Sequence, residues 1–216
     1  MNSLLIFSLL IVTAILPVII LYVWYRRGKS PVSLPWFLAS LAAGIVSLVV
    51  AALAQNFFPF PGLPNSMGSI FFAVFIRIAL VEELSRGFTL LPLIKAPSPR
   101  RGLNFAAALG LAAGLGFAAA ENAFYGMANI SIILLRLFTA VPLHGACGIR
   151  AAAAVFKFRT QPLGAVFLFA SAVIIHGAYN LIILSPAIPG FLAVPAALAA
   201  LFISLPLLKD NENERI

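Results

Sequence analysis

"GSIFFAVFIRIALVEELSRGFTLLPL", residues 68–93, decides how the chain folds. It exceeds the roughly 20 apolar residues that carry a helix across a hydrocarbon core about 30 Å thick. Yet it holds Arg77, Glu82, Glu83 and Arg86 inside an otherwise apolar run. Outward from it, runs of similar length and apolarity recur at residues 4–25, 35–54, 103–128, 130–156, 163–184 and 189–208. Of the 216 residues, 62% are hydrophobic and 9% charged. A water-soluble domain has about 45–50% apolar and about 25% charged residues, so this chain has too little polar surface to cover itself in water. A soluble enzyme, a disordered chain and a disulfide-stapled secreted module are excluded. The pattern predicts an all-α fold, a polytopic transmembrane helical bundle of about seven spans. No segment between the runs is long enough to fold alone, so residues 1–216 are read as a single integral-membrane domain.

The 14 Lys and Arg against 6 Asp and Glu give a net charge of +8. Such a balance raises the question of a nucleic-acid partner, but the basic residues alternate with the spans instead. Arg26, Arg27 and Lys29 follow the first run, and Lys95, Arg100 and Arg101 follow the third. Lys157 and Arg159 follow the fifth, Lys209 and Arg215 the seventh, and the other loops carry no Lys or Arg. Basic loops stay in the cytoplasm, which predicts an N-out, C-in protein of the cell (plasma or inner) membrane, multi-pass, with the lipid bilayer as partner and no nucleic acid. The first run has no positive charge before it and so is not a cleavable signal. The single cysteine, Cys147, forms no internal disulfide and carries no information on compartment.

The informative residues are the polar ones left inside the spans. Three of the six acids (Glu82, Glu83, Glu121), both histidines (His144, His176) and Arg77, Arg86, Arg136 and Arg150 fall there. Each charge at a helix centre costs about 2.5–3.5 kcal/mol on insertion scales. Three glutamates therefore oppose insertion by something on the order of 10 kcal/mol unless partners, water or protons offset it, and the default meaning of such groups is functional.

Glu82 and Glu83 point about 100° apart on a helix, and Arg86 stands four residues after the first and three after the second, within reach of either. One glutamate can be held by Arg86 while the other faces a neighbouring helix. That is how a carboxylate becomes available as a general base for water. In "LGLAAGLGFAAAENAFYG", residues 109–126, Gly110 and Gly114 make a small-xxx-small face for close helix approach. Packing does not account for Glu121-Asn122, whose partner is expected in Arg77 or Arg136. Pro142 frees a carbonyl one turn earlier, and Gly145 and Gly148 thin the helix around His144. Cys147 is read as a small apolar filler, not a nucleophile. His176 and Asn180, one turn apart, share a face and can act together on a developing oxyanion.

The ordered set "EELSR" (82–86), "GFAAAEN" (116–122), "RLFTAVPLHGACG" (136–148) and "HGAYN" (176–180) resembles the PrsW family of intramembrane proteases, within the wider clan of CAAX-type endopeptidases and Abi immunity proteins. The motif-bearing core is residues 68–185. The resemblance implies a multi-spanning endopeptidase that cuts membrane-anchored proteins, the first cut of an anti-sigma factor being the best-known role. It also implies that Glu82, Glu83, His144 and His176 are essential, with Glu121, Asn122 and Asn180 in the site and Arg86 supporting it. Two departures stand out: Arg86 takes a place where lysine is common, and Glu121 falls where the CAAX-type branch carries histidine.

Two chemistries follow from the resemblance. In one, a glutamate of the pair and a histidine activate water without metal. In the other, Glu83, His144 and His176 hold zinc and its bound water attacks. The chain has no H-E-x-x-H and its histidines lie on different spans, so spacing leaves both open; the metal-free route is preferred. Two other classes compete with a protease. A non-catalytic scaffold or immunity-type protein could keep the same framework. An ion-coupled transporter would also bury Glu, Arg and His, but usually shows two corresponding halves, and no internal repeat is present.

Overall fold

The structure, a computed structural model, describes residues 32–57, 66–97, 102–126 and 130–209, with a few helical positions between 16 and 23. Every element among the described residues is helical. α1 is Leu34–Gln55, opened by Pro35 in its first turn. α2 is one continuous rod over 67–95, built of an α-helix Met67–Phe71, a π-helix Phe72–Leu80 and an α-helix Val81–Lys95. α3 is Leu103–Gly126, α4 Ile130–Phe138, α5 Ala140–Lys157 and α6 Pro162–Leu184. α7 is Ala193–Ser204, with 3₁₀ turns Gly190–Leu192 before it and Leu205–Leu208 after it.

Among the described residues, five helical stretches are long and apolar enough to cross a membrane: Leu34–Gln55, Leu103–Phe124, Leu134–Lys157, Pro162–Leu184 and Gly190–Leu208. The rod α2 is longer but carries Arg77, Glu82, Glu83 and Arg86. The expected first span lies almost wholly outside the described residues, as do Arg26, Arg27, Lys29, Arg100, Arg101 and Arg215. The total of about seven spans and the N-out orientation therefore rest on the sequence.

Two spans differ from their expected form. The fifth, read as one run over 130–156, breaks at Thr139 (φ −121°, ψ −71°) into α4 and α5. Proline at 142 has no N–H to give the carbonyl of Phe138, and the helix restarts with the proline in its first turn, where it is tolerated. The third contains the π segment just before Glu82. Nothing in its nearly uniform apolar pattern distinguishes a 3.6-residue turn from a wider one, and such segments gather at functional sites.

α3 and α5 form the centre: their membrane-crossing stretches are about 83% and 89% buried, against 22–28% for α1, α6 and the α7 region. Glycine makes this possible. A Cβ on Gly110 would overlap the carbonyl of Gly148, one on Gly114 the carbonyl of His144, and one on Gly116 the carbonyl of Leu41 in α1. The backbones of α5 and α1 therefore lie directly on α3. The outer helices turn Leu38, Val46, Leu53, Phe167, Ile174 and Phe202 outward, an apolar exterior suited to acyl chains.

Candidate active site

The ionisable side chains of α2, α3, α5 and α6 meet in the middle of this bundle. On α2, Glu83 is fully buried and accepts from Arg86 Nη1 through both oxygens, at 2.6 and 2.5 Å. Arg86 turns its Nη2 to His144 Nδ1 on α5 at 3.1 Å and lies over the ring of Phe117, 4.5 Å from its centroid. Glu83 Oε1 also faces His176 Nδ1 on α6 at 2.8 Å. At the other edge of the imidazole, His176 Nε2 stands 3.5 Å from Glu82 Oε2. That oxygen is buried and makes no hydrogen bond among the described residues, while Glu82 Oε1 accepts from Gln55 Nε2 of α1 at 3.4 Å.

His144 carries the network to α3. Its Nε2 lies 2.8 Å from Glu121 Oε2, which Arg136 Nη2 of α4 also bonds. Arg136 Nε donates to Asn122 Oδ1 at 2.6 Å. The two imidazoles meet edge to face, centroids 5.1 Å apart. One chain of contacts thus runs Arg136, Glu121, His144, Arg86, Glu83, His176, Glu82, Gln55. Gly177, beside His176, leaves room for the Phe75 ring of the π segment, which a Cβ there would strike.

The partners constrain where the two histidines carry their protons. A guanidinium only donates, so His144 Nδ1 accepts from Arg86 and its Nε2 carries the proton given to Glu121. Glu83, already held by a cation, accepts from His176 Nδ1–H. That leaves the Nε2 edge of His176 facing Glu82 Oε2 at 3.5 Å, an ion pair when the imidazole is protonated. A proton, a water molecule or a cation between the two atoms satisfies both. Both nitrogens of His144 are hydrogen-bonded, whereas His176 Nε2 and Glu82 Oε2 make no hydrogen bond among the described residues.

Glu82, Glu83, Arg86, Glu121, Asn122, His144 and His176 are therefore all in one cluster. Asn180, one turn past His176, is half-buried and joins none of these bonds among the described residues. Of the two cations expected for Glu121, Arg136 is the one that bonds it. Sequence reasoning missed Gln55 and Phe117. A glutamine at the end of an apolar span is a signal that could have flagged the first; an aromatic in an apolar run gives none. Cys147 is buried and its Sγ points to the Ala172 carbonyl at 3.6 Å, as a filler would. Two sets of ligand atoms lie within 4.8 Å of one another: Glu82, His144 and His176, and Glu83, Cys147 and His176. The trio expected to hold zinc, Glu83 with both histidines, is neither of them. Glu83 falls in the second set, with Cys147 and His176, and is also bonded by Arg86.

A family model described as PrsW family intramembrane metalloprotease matches residues 32–208, which takes in α1 to α7 and every residue of the cluster. Neither the curated proteins nor the solved structures contain a match.

Proposed function

The chain belongs to the PrsW family of intramembrane proteases, and from that premise we propose that it hydrolyses peptide bonds of membrane-anchored proteins at the Glu82–His176 end of the cluster. A single-span protein of the anti-sigma-factor type is the substrate class. The observation that carries this reading is the buried Oε2 of Glu82, without a hydrogen bond among the described residues and 3.5 Å from His176 Nε2. A hydrolase needs a place where a carboxylate and an imidazole can share a water.

Each neighbour has a task in that reading. Glu82 takes the proton of the attacking water, the role of a general base. Glu83 holds His176 by Nδ1, so that Nε2 is turned to Glu82 and the reacting atoms; Nε2 receives from Glu82 the proton taken from the water and passes it to the leaving amine. Arg86 fixes Glu83 from one side and, through His144, links it to Glu121. Asn180, on the same helix face as His176, is assigned to the oxyanion of the tetrahedral intermediate.

The family description names a metal, and the residues fit one with a single exchange. Glu82 Oε2 and His176 Nε2 are open, and His144 offers a third ligand atom by giving up Glu121 or Arg86. Two imidazoles and a carboxylate are a ligand set of catalytic zinc sites. A divalent cation held by Glu82, His144 and His176 would supply Lewis-acid polarisation of the scissile carbonyl and a more acidic water. The engaged state of His144, with the Arg86 cation against it, favours the metal-free route.

The test is purified protein in vesicles with a single-span substrate. The expected products are two fragments whose new ends map within or beside the substrate span, formed at an unchanged rate after chelation. If the intact protein releases no fragment, the peptidase reading falls. About one zinc per chain, with a loss of more than about tenfold on chelation that zinc restores, moves the chemistry to the metal.

A further inference from the structure

Arg150 lies on α5 two turns before Lys157, six residues and about 9 Å along the helix from His144. It is buried and takes no part in the cluster above. Its Nε donates to Ser204 Oγ of α7 at 2.9 Å, its Nη1 to Ser171 Oγ of α6 at 2.8 Å, and its Nη2 to the Ile203 carbonyl at 3.4 Å. Both hydroxyls give their own protons to their own helices, Ser171 to Leu168 O at 2.7 Å and Ser204 to Ala200 O at 2.8 Å. They meet the guanidinium with lone pairs only.

This cage holds a cation in place and supplies no negative charge. No carboxylate among the described residues lies within ion-pair range of Arg150. Tying three helices together does not need a charge, since a neutral amide would donate to the same hydroxyls without the penalty that a buried cation brings. A guanidinium has five N–H donors, and the three bonds leave two of them unused. Ser171 and Ser204 hold the guanidinium between α6 and α7, helices that turn Phe167, Ile174, Phe202 and Ile203 outward. The same end of the bundle carries Lys157 at the end of α5, Arg159 before α6 and Lys209 after the last 3₁₀ turn, the latter two exposed.

We propose that Arg150 binds the phosphate of an anionic phospholipid lodged at the α6–α7 seam, with Arg159 and Lys209 flanking its headgroup. A guanidinium matches phosphate oxygens two at a time, and basic pockets between spans on a positively charged face are where anionic headgroups bind. The net negative charge of the lipid supplies what the serine cage withholds. The site is separate from the Glu82–His176 cluster and does not depend on its chemistry.

The test uses the full chain purified in mild detergent and titrated with phosphatidylglycerol, phosphatidylcholine or inorganic phosphate. Bound lipid is counted by native mass spectrometry, and the thermal midpoint is followed in parallel. Phosphatidylglycerol is expected to remain bound and to raise the midpoint by about 2–4 °C over phosphatidylcholine. Arg150→Gln, which keeps amide donors for the serines, is expected to lose that difference, and Arg159→Gln to reduce it. A difference that survives in Arg150→Gln overturns the proposal. If that variant does not fold, equal midpoints of the intact protein in the two lipids overturn it just as directly. A rise with inorganic phosphate alone overturns the lipid as the source of the anion.

Discussion

Glu82→Gln is expected to lower the rate of substrate cleavage by about 10²–10⁴-fold, the usual contribution of a positioned general base, with the thermal midpoint unchanged or higher. The amide fills the same volume, and its oxygen still accepts from Gln55 Nε2. What it removes is the proton-accepting oxygen that faces His176 Nε2 at 3.5 Å. No guanidinium is bonded to Glu82 among the described residues, so its replacement orphans no buried cation. Glu83→Gln is expected to behave differently. Glu83 takes two bonds from Arg86 and one from His176. Breaking a buried pair by removing one partner destabilises by about 3–5 kcal/mol. Activity and thermal midpoint should then fall together. Initial rates in vesicles and unfolding midpoints of the two variants separate the roles. A large midpoint loss for Glu82→Gln with none for Glu83→Gln would reverse the assignment.

Gly110→Val is expected to destabilise the bundle by about 3 kcal/mol or more, at or beyond the upper end of ordinary overpacking. The reason is that the obstacle is backbone. A Cβ at Gly110 overlaps the Gly148 carbonyl and stands 2.6 Å from the Ala152 Cβ, and a Cβ at Gly148 meets the Gly110 carbonyl in return. No rotamer change relieves that contact, so α3 and α5 must separate. The separation moves Glu121 away from His144 and loosens the cluster from that side. Gly190→Ala, where a Cβ meets nothing within 4 Å, is the control and should be near neutral. Thermal midpoints in one detergent check both, and equal midpoints would contradict the packing described for α3 and α5.

Much of this was legible in the sequence, for a physical reason. Charged and imidazole groups are costly in hydrocarbon, so those retained inside spans announce themselves. Glu82, Glu83, Arg86, Glu121, His144 and His176 were readable as one set before any coordinates, and the runs at 35–54, 163–184 and 189–208 agree with their helices to within a residue or so. The pairing was not readable. Spacing reports neighbours on one helix, as for Glu83 and Arg86, but not which helix packs against which. Arg136 over Arg77 for Glu121, Gln55 beside Glu82, and His144 facing Glu121 while His176 faces Glu83 and Glu82 all come from contacts between helices. The break at Thr139 was half visible in Pro142, whereas the π segment before Glu82 leaves no mark in a run that is apolar almost all round.

The central claim is that Glu82 and His176 act as one unit, and a double-mutant cycle on cleavage tests it most directly. Rates are measured for Glu82→Gln, His176→Ala and the double variant, reconstituted alike. If the two share one water and one proton path, the double variant is no slower than the slower single variant, within about threefold, because residues that act together are far from additive. A double variant slowed by the product of the two single effects would show independent sites and contradict the account.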